Sequence, residues 1–143
     1  QYTIHAGRSI PNIWSIGGFS LSENTAYACE PFVTTEQGGG FVRNGKIKNI
    51  FAINSRKKTK NEKADKLLNF IWENYNMLPF ALRWITKEWE EKEARELLEI
   101  LVKKKAVQAY PVLIEVNEQR VAQAEHTFIP IESGVTVTTK ALT

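Results

Sequence analysis

The hydrophobic rhythm of the chain changes twice. Through residues 1–60, short apolar stretches alternate with polar positions in the period-2 manner of half-buried strands, which predicts strands over 2–5, 25–30 and 46–54. Gly17-Gly18 and Gly38-Gly39-Gly40 separate them, and three glycines in a row mark a turn or a close backbone approach. Over 61–76 the period becomes helical: Ala64, Leu67, Leu68, Ile71, Trp72 and Tyr75 recur at three-four spacing behind Asn61, a residue suited to cap a helix. Leu78-Pro79-Phe80 ends that helix, because the residue before a proline is pushed out of the α region. A second helix is predicted from near Thr86, capped by the Thr86 hydroxyl, with Trp89, Ala94, Leu97, Leu98, Leu101 and Val102 toward the core. Lys103, Lys104 and Lys105 would sit at the negative end of its dipole. After Ala106 the strand rhythm returns, with 109–116, a turn at Asn117-Glu118-Gln119 and 120–129 predicting a hairpin, and 135–139 a last short strand. Strands before and after a block of helices predict an α+β fold, an antiparallel sheet with an inserted helical pair.

Composition narrows the reading. With 143 residues, 43% of them hydrophobic, the chain can build one sizeable core and is too short for two independent domains. Its single cysteine, Cys29, excludes an intrachain disulfide, and on the strand reading it is a small hydrophobe facing away from Glu30. No apolar run approaches the roughly 20 residues of a membrane span, so a soluble, cytoplasmic chain with no membrane partner is expected. The chain begins with Gln1, which is expected of a processed or excised product. Net charge is +3, unevenly spread: Arg56, Lys57, Lys58, Lys60 and Lys63 crowd one polar stretch, a candidate polyanion patch, while Glu88, Glu90, Glu91, Glu93, Glu96 and Glu99 mark a wet helix face.

Two acids interrupt otherwise apolar strand patterns. Period 2 puts Glu30 on a face with Ala26 and Ala28, and an unpaired carboxylate buried there would have to neutralise, pair or bind a cation. Glu125 and His126 pose the same question within 121–130. The alternatives are thin. His5 and His126 are the only histidines, and no Gly-x-Ser-x-Gly accompanies them. The cysteine count excludes cysteine-built zinc sites, His-Glu-x-x-His is absent, and no Gly-Lys-Ser/Thr follows the three glycines. An oxygen-rich metal site remains, of the kind that suits Mn, Fe, Co or Zn.

Five blocks in order carry a resemblance. His5-Ala6-Gly7-Arg8-Ser9-Ile10-Pro11-Asn12, Tyr27-Ala28-Cys29-Glu30-Pro31-Phe32, Leu78-Pro79-Phe80-Ala81-Leu82-Arg83-Trp84, Tyr110-Pro111-Val112-Leu113 and Ala122-Gln123-Ala124-Glu125-His126-Thr127 resemble the carboxyl-terminal half of archaeal-like type 2 methionine aminopeptidases. The resemblance implies half of a pita-bread (creatinase/aminopeptidase-like) fold: an incomplete catalytic domain over 1–143, with sheet regions at 1–60 and 106–143 and the type 2 helical insert at 61–105. It also implies roles. Glu30 matches a metal ligand and Glu125 the glutamate that bridges two divalent metal ions (Co, Mn, Fe or Zn), while His5 matches the histidine that holds substrate and stabilises the tetrahedral intermediate. His126 reads as structural or as a support to the ligands. Ala124 replaces the usual phenylalanine, Cys29 an isoleucine and Arg8 a common lysine.

The family's other ligands, two aspartates and a histidine, would precede Gln1. The expected protein is therefore the carboxyl-terminal subunit or fragment of a split, heterodimeric methionine aminopeptidase. It would remove the initiator methionine from nascent polypeptides, with the ribosome nearby, only when joined by an amino-terminal half. The rival expectation is a non-catalytic ribosome- or RNA-associated module of the same fold, which the basic stretch favours and retention of both glutamates disfavours.

Overall fold

A computed structural model describes Trp14 and residues 16–140. The strand expected at 2–5 and the candidate residue His5 lie outside the described residues. In chain order the elements are β1 (Tyr27–Cys29), β2 (Phe32–Thr34), β3 (Val42–Ile53), α1 (Glu62–Tyr75), β4 (Phe80–Ala81), α2 (Leu82–Ile85), α3 (Glu91–Lys103), β5 (Val107–Glu115), β6 (Val121–Gln123), β7 (His126–Ile131) and β8 (Gly134–Val137). They form three small sheets, in the orders β1-β7-β8, β2-β6 and β4-β3-β5. None of the helices is long and apolar enough to cross a membrane, among the described residues.

Contacts divide the chain into two compact units, the first being Asn44–Ile114 for the described residues. It holds the hydrophobic core: Phe51, Ile53, Leu67, Ile71, Phe80, Ile85, Leu98, Leu101 and Val107 are all buried. The helical spacing read from the sequence is what puts them there, since the i, i+3, i+4 positions of α1 and α3 share one face. Asn61 caps α1 by accepting from the Ala64 N–H at 2.9 Å. A cage of rings closes the far end, with Phe70 edge-on to Trp89 at 4.6 Å and Tyr75 stacked on Phe80 at 5.6 Å. Trp84 packs on Tyr75 at 5.5 Å between centroids, as an anchor in the connection.

The start of α3 departs from expectation. Thr86 ends the single-turn helix α2, whose Leu82 carbonyl accepts from the Thr86 N–H, and α3 begins five residues later. Glu90 is the cap, its carboxylate accepting from the Glu93 N–H at 3.0 Å. A carboxylate at this point satisfies a free N–H and also meets the positive end of the dipole, which a threonine hydroxyl does not.

The second unit comprises the described residues up to Arg43 and those from Glu115 onward. No apolar side chain in it is buried, among the described residues. Antiparallel ladders hold it instead: β1 with β7, β7 with β8, and β2 with β6. The hairpin expected from 109–116 and 120–129 is not formed, because β5 lies in the sheet of β3 and β4 while β6 pairs with β2. The second predicted strand also splits into β6 and β7, which belong to different sheets.

The residue that organises the turn here is one the sequence did not single out. Glu115 is buried, and its carboxylate accepts from the backbone N–H groups of Gly39 (2.5 Å), Gly40 (3.2 Å), Asn117 (2.7 Å) and Gln119 (3.1 Å). Gly39 must be a glycine for this approach, since a Cβ there would meet the Val116 side chain at 2.3 Å. Gly40 has φ +76, the left-handed region that glycine adopts freely. The N–H groups of Gly39 and Gly40, with those of Asn117 and Gln119, thus form an anion-binding nest that the chain fills with its own carboxylate, while the Gly38 N–H donates to the Thr35 carbonyl. Burial pushes the Glu115 carboxyl up, but the four backbone donors outweigh it and hold the group below the usual glutamate range.

Two outcomes are expected. Ile71→Ala, at a fully buried site, should lower unfolding free energy by about 2 to 5 kcal/mol in denaturant titrations. Because the folded-state pKa of Glu115 is depressed, its stabilisation is complete above the ordinary glutamate pKa of about 4.3 and is lost as pH falls through the lower folded value. Thermal unfolding followed from pH 6 downward, on the order of half a unit per step, should show that loss in the parent chain and a flatter acid limb in Glu115→Gln.

Candidate functional site

Glu30 and Glu125 are ninety-five residues apart in sequence and face each other in the second unit. In the β1–β7 ladder Cys29 pairs with His126, and in the β2–β6 ladder Phe32 pairs with Gln123. Two residues intervene on each side, Glu30 and Pro31 on one strand and Ala124 and Glu125 on the other. The register is therefore common to both ladders, so Glu30 stands opposite Glu125 and Pro31 opposite Ala124. A hydrogen bond from the Ala124 N–H to the Pro31 carbonyl at 3.2 Å bridges the gap.

Pro31 explains the gap. It has no N–H to give the ladder, so the pairing is interrupted where the two acids sit. This corrects the expectation that Glu30 is buried among small apolar groups: Ala26, Ala28, Glu30, Ala124 and Glu125 are all exposed. The surface of small side chains exists, but it is open.

Opposed carboxylates on neighbouring strands repel, and no described cation offsets them. The ion pairs of the described residues are Arg43–Glu118, Lys63–Glu93 and Arg95–Glu91, none involving Glu30 or Glu125. Glu30 accepts from the Gln123 amide at 3.3 Å, which aims one of its oxygens. Two carboxylates at opposite register positions, one of them oriented by Gln123, are of a chemistry that suits a divalent cation. No group of three or more His, Cys, Asp or Glu able to hold a metal exists among the described residues. By itself the pair falls short of a donor set.

Adjacent side chains alternate to the other face of the ladder. Cys29 and His126 stand opposite each other there, and the His126 Nδ1 lies 3.0 Å from the Thr139 hydroxyl, which also accepts from the Thr127 N–H at 2.9 Å. His126 is tied to Thr139, just past the end of β8, rather than aimed beside Glu125. Arg8, like His5, falls outside the described residues.

The first unit brings together two basic runs that are far apart in sequence. The N–H groups of Asn54 and Ser55 both donate to the Ala106 carbonyl, at 2.9 and 3.1 Å, so the stretch holding Arg56, Lys57, Lys58 and Lys60 starts beside Lys103, Lys104 and Lys105. None of these seven cations is ion-paired with a described residue, and the Arg56 guanidinium lies 4.8 Å over the Trp72 ring.

No protein-family model matches the chain. Individual proteins do. The methionine aminopeptidase of Saccharolobus solfataricus is 39% identical over 99% of this chain and 47% of its own length. That of Methanocaldococcus jannaschii is 37% identical over 98% of this chain and 46% of its own length. The chain therefore spans about half the length of the curated relatives it matches. Among solved structures, that of a thermophilic Arx1 superposes with a TM-score of 0.67 at 18% identity, covering 78% of this chain and 29% of that one. This likeness concerns fold, and with the antiparallel ladders and helices described above it identifies the α+β architecture as half of a pita-bread fold. Over almost its whole length, this chain is homologous to about half of an archaeal methionine aminopeptidase.

Proposed function

We propose that the chain is the carboxyl-terminal portion of a methionine aminopeptidase that removes the initiator methionine from nascent proteins, and that Glu30 and Glu125 are its share of a dinuclear metal site. The placement of these two acids opposite each other across an interrupted ladder carries the reading. In it Glu30, oriented by the Gln123 amide, and Glu125, free of any described partner, would be the acids that hold the ions, with Glu125 the shared one as the family resemblance implies. Divalent ions bound there supply an acidified water and draw charge from the scissile carbonyl. His5 hydrogen-bonds the substrate where charge develops, as the family resemblance implies.

A dinuclear site needs more donors than these two, and the reading assigns the rest to an amino-terminal half. Exposed apolar side chains in the first unit support a partner of that kind: Ile47 and Ile50 on β3, and Val112 and Leu113 on the neighbouring β5, remain open. Activity without that half is not expected.

A second reading is favoured by the seven unpaired cations at one pole of the first unit, and it makes the chain an RNA- or ribosome-associated module. Counterion release would then drive binding to phosphate backbones.

Release of methionine from a Met-Gly-peptide should be undetectable with the chain alone, and should become metal-dependent when the complementary half is added. Glu30→Gln or Glu125→Gln in the reconstituted pair should then cut it on the order of 100-fold or more. Full activity of either variant, or of the isolated chain, would count against the assignment. For the second reading, replacing Lys57, Lys58 and Lys60 with alanine should weaken binding to a structured RNA and flatten its salt dependence by about 3 in the log-log slope. Unchanged affinity and slope would remove the basic pole as an RNA surface.

A further inference from the structure

We propose that Glu115 is a positioning residue for the candidate ligands, fixing the strand register that sets Glu30 opposite Glu125. The proposal rests on the reading of those two acids as metal ligands. It starts from what holds the β2–β6 ladder. That ladder has three residue pairs, Phe32 with Gln123, Val33 with Ala122 and Thr34 with Val121, and most of these side chains are exposed. A strand pair with no buried face specifies its register weakly, and a slip of one residue sends every side chain to the opposite face. Such a slip would take Glu125 away from Glu30.

Glu115 removes that freedom at the far end of the ladder. Its Oε1 takes the N–H groups of Gly39 and Gly40, on the chain leaving β2, and its Oε2 takes those of Asn117 and Gln119, on the chain entering β6. One buried carboxylate thus ties both strands to a common point. Further bonds reinforce the tie: the Thr34 hydroxyl donates to the Arg120 carbonyl at 3.0 Å, and the Asn117 side-chain amide to the Gln37 carbonyl at 3.1 Å. From the Thr34–Val121 pair the strands run four residues to Glu30 and Glu125, about 13 Å at 3.3 Å per residue. Over so short a span the register set at the clamp is the register at the acids, and the Ala124 to Pro31 hydrogen bond reads it out next to them.

Glutamine at position 115 keeps the size of the side chain but replaces one accepting oxygen with a donor, so two of the four N–H groups lose their acceptor. The test uses the chain reconstituted with its complementary half. Calorimetric titration with Mn²⁺ and amide hydrogen exchange at Ala124 are compared for the parent, Glu115→Gln, and Leu98→Ala, a core variant in the other unit that is destabilised without touching the clamp. At a temperature where all three are folded, Glu115→Gln should bind Mn²⁺ about 10- to 100-fold more weakly and exchange Ala124 faster, while Leu98→Ala should do neither. Parent-like metal binding and exchange in folded Glu115→Gln would overturn the proposal, as would an equal loss in Leu98→Ala. Should Glu115→Gln fail to fold, Glu115→Asp, which keeps the charge on a shorter stem, is read by the same criteria. If Mn²⁺ binding proves insensitive to Glu30→Gln and Glu125→Gln, the metal reading itself fails. Ala124 exchange then still decides whether Glu115 sets the register.

Discussion

The arrangement of this chain's second unit depends on one constraint: two short antiparallel ladders share a single register across a two-residue gap. Neither ladder is long enough to be stable on its own as an isolated strand pair in water. They remain separate sheets, but their common register lines them up end to end, with β8 on the far side of β7. The lapse at Pro31 interrupts the ladder where Glu30 and Glu125 sit. At that point the Ala124 N–H still reaches the Pro31 carbonyl, and Glu30 and Glu125 stand on open surface.

The two units solve the problem of holding shape by different means. The first packs α1 and α3 over strands and buries a continuous set of aliphatic and aromatic side chains, which is the ordinary route to stability. The second has no buried apolar side chain among its described residues and depends on backbone hydrogen bonds and on Glu115. A single buried carboxylate with four N–H partners satisfies donors that a glycine-rich turn would otherwise leave to water. The same nest geometry that binds phosphate in other proteins here binds the chain to itself.

Much of the first unit was legible in the sequence because helical periodicity is a local signal. Asn61 capped the helix its position indicated, and the predicted apolar positions of α1 and α3 did become core. Thr86 misled because capping preference depends on where the previous turn ends. The unforeseen turn α2 consumed Thr86, and Glu90 took over the next start. In the second unit, apolar alternation near Glu30 and Glu125 correctly marked strand-like chain, yet it overstated burial. Alternation reports which residues share a face, and whether that face is covered is a matter of what packs on it.

The sequence by itself determined the two long helices and the strand character on either side of them, the residues of the helical core and, through ordered motif blocks, the likeness to half of a methionine aminopeptidase. Those properties reside in local periodicity and in residue identity. Only the tertiary structure decided that Glu30 and Glu125 are opposite each other, that β5 and β6 part into different sheets, and that Glu115, bonded to Gly39 and Gly40, fastens the turn. These are pairings between segments as much as 95 residues apart, and no local rule of sequence fixes which strand a segment will join or in which register. Register is set by hydrogen bonds closed over long loops, and those form only when the chain has folded.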